Sequence, residues 1–476
     1  MALRVAYGTL LMLQLMATLP NAVRFFSSER YGGYAESTPL TDRFHRPWVV
    51  AAVCTIWLLS AIAIVFGFAL LVAAAINFAL ARYFYVHTRW TSILRGMGAP
   101  GHMNHWLAAL ILFLAAAQTL DTTGLLRSMT VLTFRVDFAA IMIAAGVYKI
   151  AAGYPRGDGF ERGLVNPWWG FHAAWLRKLP AHSPAFAALN HAGYLGEILC
   201  GIGFLIPQAA PYAAVFLGLS FVLIGLTIRL TWLAEMVAVC CVLMIPPGNP
   251  VNAAFERLFH PALLVPHTGI AGQAVVYGLL LVLAAYLAVL PFAYAGMIWN
   301  FYAQRRLWPP AQRALDAWTS FFGLMLWRVF TADIVNFFAS VSVRKPDGAR
   351  SSYLDPWRAS RRLRYRHVAE FICLASLFTT LKYYPDDHDL FRRRIVRYAR
   401  TILRPEGGTV VFGYVQIVKG ADAFEYCDVA EFVVDPDAET VSERVFDPSF
   451  DPRATAQHSP VFRGSRPGSY APAVTS

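Results

Sequence analysis

Lys149 lies in Ala144-Ala145-Gly146-Val147-Tyr148-Lys149-Ile150, a stretch otherwise free of charge. An ionisable group in such surroundings is costly and marks a candidate functional position. Two explanations compete. A lysine near the end of an apolar helix can lay its stem along lipid and lift its ammonium to the headgroups. Alternatively, burial favours the neutral amine, which then serves as a general base near neutral pH. Asn104-His105 opens another apolar run on the same side as Lys149. The pair reads as a helix-capping Asn with an interfacial His, or as two hydrogen-bond donors to a developing oxyanion. Glu197, in Gly193-Tyr194-Leu195-Gly196-Glu197, has no partner close by in sequence. Arg135 and Asp137 read as an interfacial pair, and Glu235 has Arg229 within reach. No motif for phosphate cradling, zinc hydrolysis or a nucleophile elbow stands out, and no metal site is expected.

These residues need apolar elements to hold them. Of the 476 residues, 57% are hydrophobic and only 15% charged. The stretch from Trp48 to Val86 carries almost no charge before Arg82, and Pro211 to Ile245 is interrupted only by Arg229 and Glu235. A bilayer core takes about 20 apolar residues per helix. The pattern predicts a polytopic α-helical membrane bundle of about nine spans, at 4–20, 48–66, 68–86, 105–119, 134–152, 188–206, 211–229, 231–247 and 270–298. The first is read as a membrane helix rather than a cleaved signal. The second and third meet at Gly67 as a tight antiparallel pair. Residues 160–182, with Trp168, Trp169, Trp175, Arg177 and Lys178, suit the headgroup layer.

The net charge of +12 invites a nucleic-acid reading. Its arginines instead flank the apolar runs, or lie in tracts at 358–366 and 392–404, where contact with anionic lipid explains them. Alternate loops carry most of the basic residues, which predicts a cytoplasmic C-terminal domain. The six cysteines have no metal or disulfide spacing.

Residues 1–300 thus form the membrane unit, and 301–343 a connection. Within it, Trp318 to Val343 is a further span or a helix leading into a buried strand. Residues 344–448 read as a soluble α+β domain. It has a turn at Lys345-Pro346-Asp347-Gly348, helices at 364–382 and 389–403, and strands Thr409–Val418 and Cys427–Val434 joined through Gly420-Ala421-Asp422. The tail 449–476, rich in Pro, Ser, Gly and Arg, is expected to be disordered.

Asn104-His105-Trp106, followed by Ala145-Gly146-Val147-Tyr148-Lys149, resembles the vitamin K-dependent γ-carboxylase family and the bacterial HTTM-domain membrane proteins related to it. That family's Trp and Gly after the lysine are matched here by Tyr154 and Gly157. Further on, Val343 to Pro356, His367 to Ala375, Val411 to Val418 and Phe432 to Pro436 resemble the family's later segments, so the likeness spans nearly the whole chain. The resemblance implies a reduced vitamin K or menaquinone-like quinol as cofactor. Lys149 would be the base that deprotonates it, with His105 and Asn104 as hydrogen-bonding catalytic partners, and Tyr148, Gly146 and Glu197 beside the cofactor. In the family, oxygenation of the quinol yields a strong base that takes the γ-proton of a glutamate in a protein acceptor, and CO2 adds to the carbanion. Membrane lipids and a protein or peptide acceptor are the implied partners. The sequence departs from the family in three places. Phe221-Val222-Leu223-Ile224-Gly225 stands where a His-containing segment is usual, Tyr148 where a second lysine is common, and the long luminal region of the animal enzymes has no room here. Two other readings stay open: a non-catalytic lipid- or quinone-binding or transport protein, and a scaffold whose C-terminal domain recruits a cytoplasmic partner.

Overall fold

The computed structural model describes residues 1–87, 99–157, 159–230, 232–245, 253–254, 257–258, 270–303, 305–327, 332–358, 364–383, 387–403 and 407–447. The predicted tail and part of the 358–366 arginine tract lie outside the described residues.

Each of the nine apolar stretches is helical over most of its length. In chain order the helices are α1 (Ala2–Phe26), α2 (Pro39–Phe44), α3 (Pro47–Phe66), α4 (Leu70–Arg82), α5 (Ala99–Leu120), α6 (Leu125–Ala151), α7 (Phe160–Val165), α8 (Ala173–Leu176), α9 (Pro184–Leu205), α10 (Ala210–Thr227), α11 (Leu233–Cys241) and α12 (Ile270–Tyr302). Six of these, α1, α3, α5, α6, α10 and α12, are long and apolar enough to cross a membrane. The segment at 70–86 and α11 are shorter apolar helices, and α9 carries Asn190, His191 and Glu197. Local signals set several ends. Pro47 starts α3, and Gly67 stops it in the left-handed region at φ 78°. Ser183 caps α9 ahead of Pro184.

Helix α13 (Pro309–Phe322) ends at Gly323, a short α14 (Ala332–Val335) follows, and the chain enters strand β1 (Phe337–Arg344). With β2 (Arg350–Leu354), β3 (Thr409–Lys419), β4 (Phe424–Asp435) and β5 (Thr440–Val445) it forms one antiparallel sheet in the order β2-β1-β3-β4-β5. The predicted turn at 345–348 joins β1 to β2, with Gly348 at φ 83° where a side chain would be strained. Helices α15 (Arg364–Tyr383) and α16 (His388–Ile402) cover the sheet through Phe378 and Phe391, which pack on Phe412, Tyr414 and Phe432.

The sheet docks on the helical unit, and this corrects the headgroup reading of Trp168 and Trp169. Both indoles are buried. Trp168 stacks on Phe371 and donates through Nε1 to the Ala339 carbonyl at 3.2 Å. Asn166 Nδ2 donates to the carbonyls of Val335 and Phe337 at 2.8 and 2.7 Å. The aromatic-rich segment is therefore a protein–protein seam, because the strand that faces it offers backbone carbonyls and rings. Trp175 alone of the three tryptophans is largely exposed.

Candidate functional site

Helices α6 and α9 run antiparallel at very short range, and glycine makes this possible. A Cβ on Gly146 would stand 2.6 Å from both Ile198 Cγ1 and the Tyr194 carbonyl oxygen, and one on Gly201 2.8 Å from the Ala139 carbonyl. No side chain fits there. One turn beyond Gly146, the close approach brings Lys149 Nζ onto both carboxylate oxygens of Glu197. The two residues are 7% and 6% exposed, so this is a buried ion pair between adjacent helices. Each charge answers the desolvation cost of the other. The snorkelling reading of Lys149 is excluded by this burial. The ring of Tyr154 lies 6.0 Å from Nζ, adding a weak cation–π contact.

The pair lines a cavity of about 60 Å³. Its walls come mainly from α9, α10 and α11: Gly193 and Gly196, then Phe216 and Phe221, then Leu233, with Trp327 closing one side. Apart from the ion pair, Ser220 and the Tyr154 phenol, the lining is apolar.

The other candidates lie elsewhere. Gly146 serves the helix contact just described. Tyr148 packs its ring on Phe301 of α12, with centroids 4.7 Å apart. Asn104 belongs to a buried polar chain in which Tyr7 donates to Asn104 Oδ1 at 3.1 Å, Asn77 Nδ2 donates to Tyr7 at 3.0 Å, and Trp57 donates to Asn77 Oδ1 at 2.8 Å. This chain ties α1, α3, α4 and α5 together inside the bundle, so Asn104 is no helix cap: α5 begins at Ala99. His105 is sandwiched between the rings of Phe78 and Tyr85, at 5.3 and 5.4 Å, and is absent from the cavity lining. Among the described residues, His105 does not line the Lys149 cavity.

Two features escaped the sequence reading. His102, one turn before His105, accepts a hydrogen bond at Nδ1 from Trp327 Nε1 at 3.1 Å, and Trp327 is a cavity residue. The i, i+3 spacing of the two histidines was the available signal. Asp137 is no interfacial partner of Arg135. It is 2% exposed, and its Oδ2 accepts from Trp106 Nε1 at 3.0 Å and from the Tyr286 hydroxyl at 2.8 Å. Arg229 gives its guanidinium to the Pro167, Trp168 and Gly170 carbonyls.

The segment joining α6 to α9 is also held from the C-terminal sheet. Lys419 of β3 bonds Glu161 at 2.8 Å and the Gly157 carbonyl, while Asn190 Nδ2 donates to Glu161 Oε2 at 2.7 Å. This clasp fixes the stretch that carries Tyr154 and Phe160 into the cavity wall.

Among the described residues no cluster of His, Cys, Asp and Glu has the makings of a metal site. Comparison with known proteins finds no matching family model, curated protein or solved structure.

Proposed function

We propose that this chain is a multi-pass membrane protein that binds a reduced-quinone-type ligand at the Lys149–Glu197 cavity and exchanges a proton with it, as a γ-carboxylase-like enzyme would. One observation carries the reading: a buried acid–base pair lines a largely apolar cavity between helices. Aromatic and aliphatic walls around a few polar groups suit an amphipathic ring with an acidic hydroxyl. At about 60 Å³ the cavity takes the polar edge of such a ring, and the rest of a tailed molecule lies outside it.

A reduced quinone, when bound, supplies an acidic ring hydroxyl and the electrons that react with O2. The protein's part follows from proton accounting. The pair starts as ammonium and carboxylate, and taking up one proton leaves ammonium and carboxylic acid. Glu197 is thus the net acceptor, reached through Lys149, and the charge kept on Nζ steadies an anion in the cavity. Phe216, Phe221 and Leu233 keep water from competing for that charge. The resemblance makes Lys149 itself the base; on this accounting it meets the ligand and passes the proton on to Glu197. Asn104 and His105 act on the packing of α5 rather than on the ligand. On this reading the C-terminal α+β unit stands on the cytoplasmic side of a bacterial inner membrane, following the loop arginines.

A second reading is favoured by one specific observation. Asn104 and His105 are committed to sites outside the cavity lining, which suits a protein that binds or moves a quinone or lipid without turning it over. The test is menaquinol consumption in nanodiscs with O2 and bicarbonate, comparing wild type with Lys149→Ala. Oxygen-dependent epoxide formation that disappears in the folded variant supports the enzyme. Binding without turnover supports the second reading. A wild-type protein that does not bind menaquinol overturns the enzyme and leaves lipid binding as the surviving form of the second reading.

A further inference from the structure

Helices α9 and α10 splay apart, and the splay can be followed residue by residue. A Cβ on Gly203 would stand 2.9 Å from Ala213 Cβ, so the helices touch there. A Cβ on Gly196 would reach only Phe216 Cε1, at an ordinary 3.5 Å. At Gly193 nothing lies within 4 Å. The gap therefore widens towards the N-terminal half of α9, where Gly196 meets Phe216 of α10 and Ala192, Gly193 and Ser220 border the same space. All five line the Lys149–Glu197 cavity. Outside the gap the surface is apolar: Leu195 and Leu199 on α9, and Leu219 and Leu223 on α10, are exposed, and Phe216 is 57% exposed while also lining the cavity.

We propose that this wedge is a lateral port through which a single-chain amphiphile reaches the ion pair from within the bilayer. Its acidic head, a phenol or a carboxylate, lies at Lys149, and its hydrocarbon tail lies between α9 and α10 and continues into lipid. The proposal rests on the membrane reading above and names the class of ligand for that site. The physical ground is the combination of a charged floor, an apolar throat and an apolar rim. A water-soluble substrate gains nothing from a mouth in the apolar belt, whereas a tailed one keeps its chain out of water throughout. The absence of side chains at Gly193 and Gly196 keeps the throat open.

The test uses a long-chain fatty acid carrying a photoreactive diazirine near its carboxylate, added to the full-length protein in nanodiscs, with adducts mapped by mass spectrometry. Wild type is compared with Gly193→Leu, which fills open space and replaces a helix-weakening glycine, so it folds. The port predicts adducts on the interior residues Phe221, Leu233 or Trp327 in wild type. In Gly193→Leu these fall by about tenfold or more, as expected of a steric block that weakens occupancy by at least one decade, while adducts on the outward Leu199 persist. Interior adducts unchanged in the variant overturn the port, as do wild-type adducts confined to outward residues. Interior labelling together with a failed menaquinol assay keeps the port and discards the quinol. The reverse pattern discards the port alone.

Discussion

Removing one partner of the Lys149–Glu197 pair strands the other charge in a site that is over nine-tenths buried. Breaking a buried ion pair in this way costs about 3–5 kcal/mol, because the remaining ion keeps its desolvation penalty. Lys149→Met and Glu197→Leu are each predicted to destabilise by that amount. The double variant behaves differently. It removes both charges and leaves two apolar side chains against Leu217 and Phe221, so its stability returns to within about 1 kcal/mol of wild type or exceeds it. The coupling energy of the cycle is then at least about 5 kcal/mol, beyond the roughly 0.5–3 kcal/mol usual for contacting residues. Reversible unfolding by SDS titration in mixed micelles, read by circular dichroism, gives the four free energies. Single variants within about 1 kcal/mol of wild type, or losses that simply add in the double variant, would refute the pairing.

Gly146→Val drives a side chain into the Tyr194 carbonyl and Ile198. It is predicted to lose about 1–3 kcal/mol and to reduce the Lys149–Glu197 coupling in the same cycle. Lys419→Met leaves Glu161, 1% exposed, without its cation. The loss is about 1.5–3 kcal/mol, visible as faster trypsin cleavage within the C-terminal sheet than in wild type. His45 tests pH. Its Nδ1–H donates to the Phe26 carbonyl at 2.6 Å, which leaves Nε2 to accept from the Tyr83 hydroxyl at 2.5 Å. Burial, only partly offset by the Phe26 carbonyl, holds the imidazole below its ordinary value. The unfolded chain therefore binds the extra proton first as pH falls through about 6.5, and stability is present above that value and declines below it. The thermal midpoint in nanodiscs should drop on acidification, and His45→Gln should flatten that component of the drop. An unchanged slope in the variant would contradict the assignment.

The helical unit was legible because hydrophobic runs of membrane length depend on composition alone. The paired strands β3 and β4 were legible through their alternation and the Gly420 turn. Strand β1 was harder: its start, Phe337 to Ala339, is buried on both faces and reads as a continuation of the apolar stretch before it, and only Ser340 to Val343 alternates. The polar edge strands β2 and β5 have little apolar pattern to read. At the site, the cost of isolated charge singled out Lys149 and Glu197, but not their meeting. They stand 48 residues apart, and it is the close packing of their helices at Gly146 and Gly201 that lets them meet. The Asn104 chain was illegible for a similar reason, since Tyr7, Trp57 and Asn77 come from three other helices.

The central claim is that the Lys149–Glu197 pair takes up a proton when a ligand fills its cavity. The most direct measurement is an infrared difference spectrum, menaquinol-bound minus free, of the protein in nanodiscs. The account predicts a new protonated-carboxyl band on binding that is missing in Glu197→Gln. A spectrum with no such band, or one that survives unchanged in Glu197→Gln, would contradict it.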